Sequence, residues 1–126
     1  MKILLSVALG GAVGASARYL LGGLVGTWMA GGFPWATLVV NVLGSLILGV
    51  FIEISALAWS PSAALRAFIA VGVLGGFTTF SAFSMDVVLL AERGRLEWAA
   101  LYALASLTVV IGALVAGLRL TRWLLA

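Results

Sequence analysis

The chain has no cysteine and no histidine, and only 4 acidic against 7 basic residues among 126. Without cysteine, disulfides and thiolate metal sites are excluded, and the redox compartment cannot be read. Without histidine, the side chain that titrates near neutral pH and the commonest zinc ligand are both missing. Charged residues make up 9% of the chain, too few to cover a water-facing body of this size. There is no basic run and no soluble domain able to hold a nucleic acid. There is also no Gly-x-x-x-x-Gly-Lys-Ser/Thr run to cradle ATP phosphates. What is present is apolar: 64% of residues are hydrophobic and the mean hydropathy is +1.28. The class is an all-α integral membrane protein. Its net charge of +3 then belongs to loop ends near anionic headgroups.

Four apolar spans are expected, at about 3–25, 35–57, 65–90 and 98–120, in one domain over residues 1–126. Each is long enough to cross ~30 Å of hydrocarbon. The connections are short: a glycine-rich stretch from Gly26 to Pro34, a Ser60-Pro61-Ser62 turn, and Ala91-Glu92-Arg93-Gly94-Arg95. Ser60 is placed to cap the third helix and Pro61 to open it. Trp28, Trp35, Trp59, Trp98 and Trp123 fall at or near span ends, as an aromatic belt does. Lys2 with Ala15-Ser16-Ala17 mimics a secretory leader, but the apolar pattern runs on past Arg18, so a retained first helix is expected.

Both termini lie on one side of a four-span chain. That side carries Lys2, Arg66, Arg119 and Arg122; the other carries Arg18, Arg93 and Arg95. So even a split sets almost no orientation. Insertion both ways, and antiparallel pairing of the two forms, is one reading; a weak bias that still fixes one orientation is the other. Gly10/Gly14 and Gly11/Ala15 have small-xxx-small spacing, which serves packing within a subunit or between subunits.

The third span contains Gly72-Val73-Leu74-Gly75-Gly76-Phe77-Thr78-Thr79-Phe80-Ser81-Ala82-Phe83-Ser84. Adjacent glycines followed by two threonines are poor helix formers, and Thr can turn its hydroxyl onto the backbone. The helix is expected to break between Gly75 and Thr79. Broken backbone at membrane depth must be buried in protein or line a wet cavity, and its freed carbonyls suit a cation. Phe80 and Phe83 follow on one face of the resumed helix. Their ring edges carry partial positive charge and can meet a small anion. Thr79, Ser81, Ser84, Ser106 and Thr108 are hydroxyl donors for such an ion, or satisfy their own helix carbonyls instead. Asn41, within the second span, either donates to an anion or ties helices together. Arg18 either snorkels and anchors or raises anion concentration at a vestibule. Glu53 and Asp86 read as interfacial charges, since neither has a partner at catalytic spacing.

These blocks resemble the bacterial fluoride channel family, Fluc/CrcB. The resemblance rests on Gly10 to Ala15 with Arg18-Tyr19, on Thr37 to Ser45, and above all on Gly72 to Ser84, and it covers nearly the whole chain. It implies a passive, fluoride-selective channel of the bacterial inner membrane, multi-pass and dual-topology, assembled as an antiparallel homodimer. It implies a structural sodium ion held by backbone carbonyls at Gly75 and Thr78, contributed twice. It also implies a fluoride pathway through Asn41, Phe80 and Phe83, with Thr79, Ser81, Tyr102 and Ser106 beside it. One departure stands out: one turn beyond Ser106 the chain offers Val110 and not a hydroxyl. Two other classes compete. A small proton-coupled multidrug exporter would need an acidic residue in the first span, which has none. A non-transporting membrane subunit would need neither the break, the Asn nor the paired phenylalanines. An enzyme is not expected, because no nucleophile–base pair or metal cluster can be assembled.

Overall fold

The computed structural model describes all 126 residues, and every regular element is helical. Helix α1 spans Lys2–Trp28 and α2 spans Trp35–Leu57. The third span is assembled from pieces: α3 (Ala63–Arg66), a π-helical segment (Ala67–Leu74), α4 (Gly75–Phe77) and α5 (Phe80–Glu92). Helix α6 spans Leu96–Leu125. Four stretches are long and apolar enough to cross a membrane.

Three boundaries differ from expectation. The first and fourth helices run beyond 3–25 and 98–120, to Trp28 and to Leu125, because Trp28 and Arg122 are amphipathic side chains that let a membrane helix continue toward water. Ser62, not Ser60, caps the third span: its hydroxyl accepts the Leu65 N–H at 3.3 Å, and Pro61 stays outside the helix. Gly94, at φ +73°, makes the sharp turn from α5 into α6 that an L-residue would resist.

Glycines decide the packing. Helix α1 lies against the first half of the third span, backbone to backbone. A Cβ on Gly10 would overlap the Phe68 carbonyl oxygen, and one on Gly14 the Val73 carbonyl oxygen. From the other side, a Cβ on Gly72 would sit 2.8 Å from the Gly10 Cα. The small-residue stripe of α1 therefore packs within the chain. Helix α2 meets α6 in the same manner. A Cβ on Gly49 would overlap the Leu114 carbonyl oxygen, and one on Gly117 that of Leu46. Helix α5 packs on α6 through Phe83, Leu90, Ala99 and Tyr102, with Phe33 and Leu38 against the cluster.

Candidate functional site

Helical geometry stops at Phe77 and resumes at Phe80. Thr78 (φ −79°, ψ 156°) and Thr79 (φ −152°, ψ 121°) are both extended. Two residues out of helix leave backbone groups that must find partners or stay open. Asn41, projecting from α2, meets them with both ends of its carboxamide. Its Oδ1 accepts the Thr79 N–H at 2.7 Å, and its Nδ2 donates to the Thr79 carbonyl at 3.0 Å. The amide thus replaces the backbone as hydrogen-bond partner. One Nδ2 hydrogen remains, because an amide nitrogen carries two. Thr79 also opens the next helix: its Oγ1 accepts the Ala82 N–H at 3.1 Å and lies 3.1 Å from the Ser81 Oγ.

This rewiring has a consequence for two carbonyls. In a continuous helix the Thr79 N–H would bond to Gly75 and the Ala82 N–H to Thr78. Here the first goes to Asn41 and the second to Thr79 Oγ1. The Gly75 and Thr78 carbonyls lose those donors, and both residues line the same groove. Two hard, neutral oxygens per chain suit an oxygen-ligated monovalent cation.

The groove has a volume of about 440 Å³. It gathers Asn41 and Ser45 from α2, Gly75, Thr78, Thr79, Phe80 and Phe83 from the third span, and Ser106 and Val110 from α6. Its apolar wall contains Phe80, 72% exposed, and Phe83, 9% exposed, with ring centroids 5.2 Å apart. Behind Phe83 the aromatic contact continues to Tyr102, centroids 5.4 Å apart, and from Tyr102 edge-on to Phe33. Tyr102 is completely buried and stands behind the groove wall, not in it. Its hydroxyl donates to Asp86 Oδ2 at 3.1 Å. Ser81 also lies off the groove lining and reaches it only through Thr79.

The hydroxyls divide into two groups. Ser84 donates to the Phe80 carbonyl, Thr78 to Leu74, and Thr108 to Leu104, all one turn back along their own helices. Ser106 is different: the residue lines the groove, and its Oγ, buried beside Tyr102, meets no partner at hydrogen-bond geometry, as is also true of Ser55 outside the groove. An unpartnered buried hydroxyl calls for an explanation, and a passing solute or ion is one.

Three features went unread in the sequence. Ser45 joins Asn41 on the groove face, which the i, i+4 spacing could have signalled. Asp86 is not a bare interfacial charge, because Tyr102 bonds it. Glu53 is not one either. It is buried and receives two hydrogen bonds from Arg122, Nε to Oε1 at 2.6 Å and Nη2 to Oε2 at 3.2 Å. Partners 16 and 69 residues apart leave no local signal.

Fold and site together define a four-span α-helical membrane protein with a polar, aromatic-walled groove beside a non-helical pair of residues. The profile of the family described as "CrcB-like protein, Camphor Resistance (CrcB)" matches residues 5–118, and the chain belongs to that family. It is similar to the "Fluoride-specific ion channel FluC" of Rhodospirillum centenum, 54% identical over 122 residues and covering 97% of both chains. The protein of the same name from Agrobacterium fabrum is 52% identical over 120 residues, 92% of this chain and 93% of the relative. That from Nitrobacter winogradskyi is 48% identical over 119 residues, 94% of each. These relatives are named as channels, not enzymes. With four apolar spans and bacterial relatives, the chain is a multi-pass protein of the bacterial inner membrane.

Proposed function

We propose that this chain is a fluoride-selective channel that lets cytoplasmic fluoride leave passively. Relatives about half identical over nearly the full length carry that name. The observation that carries the reading is the groove, where an amide, hydroxyl-bearing residues and two aromatic rings line one volume. Fluoride is small and strongly hydrated. To enter, it needs donors in place of water: the spare Asn41 N–H, the Ser106 hydroxyl, and the positive edges of Phe80 and Phe83. A negative-inside potential drives an anion outward by about 2.3 kcal/mol per 100 mV, so no fuel is required.

The groove is open along the side of the chain, and Phe80 at its edge is 72% exposed. A second copy would close it. Together with the four-against-three charge split, this favours two oppositely inserted copies meeting at the Phe80 face. In such a dimer the Gly75 and Thr78 carbonyls are supplied twice. Four neutral oxygens then suit a sodium ion, whose part is to hold the two interrupted helices together. A Cβ on Gly75 would meet nothing nearer than the Ala70 carbonyl oxygen at 3.6 Å, an ordinary contact. The role assigned to Gly75 therefore rests on its carbonyl and not on its lack of a side chain.

Purified protein in liposomes loaded with potassium fluoride, with potassium made permeable, should release fluoride to an ion-selective electrode while chloride-loaded vesicles hold their content. Absence of fluoride release from correctly folded protein would overturn the reading.

A further inference from the structure

The Glu53–Arg122 pair sits away from the groove and has no part in the pathway described above. Its carboxylate is 5% exposed, while Arg122 is 59% exposed. A buried carboxylate in a membrane helix is costly unless paired, so its presence calls for a reason. The surroundings supply one. The pair lies one turn beyond Gly49 on α2 and about one turn beyond Gly117 on α6, the two glycines at which the helices cross in backbone contact. Glycine contact lets the two helices come close, and a polar tie one turn beyond it adds a second, independent constraint on how far one slides along the other. A planar guanidinium bound through two nitrogens to both oxygens of one carboxylate is such a tie.

Register between α2 and α6 matters to the groove. Helix α2 delivers Asn41 and Ser45, and α6 delivers Ser106 and Val110. A slip of a single residue along the axis displaces one wall against the other by ~1.5 Å. That is enough to separate the Asn41 and Ser106 donors from a shared ion. We propose that Glu53 and Arg122 are positioning residues, a bidentate staple that sets the α2–α6 offset and so the spacing of donors across the groove. This rests on the channel reading above.

The staple is asymmetric, which makes it testable. Glu53→Gln leaves Arg122, already largely exposed, free to turn to water and headgroups. Arg122→Gln strands a buried carboxylate without a partner. Flux per folded channel is expected to fall about tenfold in Glu53→Gln, a change of ~1.4 kcal/mol in barrier. It should fall further in Arg122→Gln. Arg122→Lys, which keeps charge but loses the fork, should lie between wild type and Arg122→Gln. Exchanging the pair, Glu53→Arg with Arg122→Glu, should restore flux to within about threefold of wild type. Fluoride-over-chloride selectivity should fall with the singles and return with the exchange. A pair that merely holds the fold would instead change the yield of folded protein, with flux per channel and selectivity untouched. That outcome overturns the proposal, as does an exchanged pair no better than the singles. If Glu53→Gln and Arg122→Gln do not fold, the Arg122→Lys flux and the exchanged pair decide it. Wild-type protein in the same assay keeps the two readings apart: silent wild type sinks the channel, whereas active wild type with unaffected Glu53→Gln sinks only the staple.

Discussion

The two halves of the third span are held in opposite ways. Its first half, through the π-helical turn to Gly76, is pressed against α1 with nothing between the backbones. A Cβ on Gly76 would come within 2.8 Å of the Gly11 carbonyl oxygen. Its second half, from Thr79 onward, is held by side chains: the Asn41 amide, the Thr79 hydroxyl and a row of aromatic rings. In lipid, helices gain little from hiding apolar surface from one another, so close backbone contact is what anchors the first half. The second half follows two residues, Thr78 and Thr79, that leave helical geometry, and that opened backbone needs a substitute partner. Rigid anchoring next to a polar opening lets the opening persist without unravelling the span.

The largest expected effect tests the anchored half. In Gly14→Val, the new side chain meets the Val73 carbonyl oxygen and the Phe77 nitrogen, both main chain and unable to swing aside. Overpacking typically costs about 1–3 kcal/mol, and here, against main chain on two sides, the upper end is expected. Size-exclusion chromatography in detergent should show no monodisperse protein. Gly23→Ala is the counterpart, since a Cβ there meets nothing within 4 Å and replaces a poor helix former with a good one. It should elute as wild type. A well-folded Gly14→Val would break the contrast between the two halves.

Next comes the side-chain-held half. Asn41→Leu keeps the branching and heavy-atom count of the side chain but leaves the Thr79 N–H and C=O without partners, at roughly 1–3 kcal/mol for each. Fluoride release per folded channel should fall by about two powers of ten, as a barrier increase of ~2.7 kcal/mol requires. Asn41→Asp sharpens the test. It keeps the acceptor for the Thr79 N–H but sets a carboxylate oxygen against the Thr79 carbonyl, so it should fail despite being nearly isosteric. If Asn41→Leu conducts normally, the amide is neither backbone substitute nor donor.

How much of this was legible beforehand differs between the halves for the same reason. Four spans can be read because membrane crossing demands some twenty apolar residues in a row, a signal no loop imitates. The pairing of Gly10 and Gly14 could be read as close packing but not as to partner, because spacing states which face is smooth and not what lies on it. Gly75 to Thr79 could be read as poor helix formers, since that is a property of the residues themselves, but Gly75 to Phe77 stay helical and only Thr78 and Thr79 are extended, so the expected bounds were too wide. Asn41 stood out as a costly amide, yet its partner Thr79 lies 38 residues away. The Glu53–Arg122 pair was missed for want of any local rule, as was the tie between Asp86 and Tyr102. Ser60 reads as a cap because it precedes Pro61, and only the chain path shows that Ser62 is the one that reaches the Leu65 N–H.

A smaller effect separates the two phenylalanines. Phe80 is mostly exposed in the single chain, whereas Phe83 is wedged against Tyr102 in the cluster with Leu90 and Ala99. Phe80→Ile should leave thermal stability within about 0.5 kcal/mol of wild type while lowering fluoride release about tenfold. Phe83→Ile should lower both, since it also loosens packed aromatic contacts by about 1 kcal/mol. Unchanged flux in Phe80→Ile would remove that ring from the pathway and leave the exposed face as a packing surface only.

The smallest effect falls on two hydroxyls two residues apart on α6. Thr108 donates to the Leu104 carbonyl at 2.8 Å and reaches Ala105 at 3.3 Å, so its hydroxyl is spent on its own helix. Ser106 spends its hydroxyl on nothing within the chain, although it is buried. A polar group kept unsatisfied normally costs stability, so Ser106→Ala should leave the folded protein as stable as before or slightly more so. Its fluoride release should nonetheless drop, by about threefold, because one weak donor lost is worth somewhat under 1 kcal/mol of barrier. Thr108→Val should change neither property. Val110, one turn past Ser106 along the groove, offers no oxygen to take over. Placing one there, as Val110→Thr, should therefore recover part of what Ser106→Ala loses. Equal losses from Ser106→Ala and Thr108→Val would mean that the unpartnered hydroxyl has no special tie to the ion, and that α6 contributes shape alone.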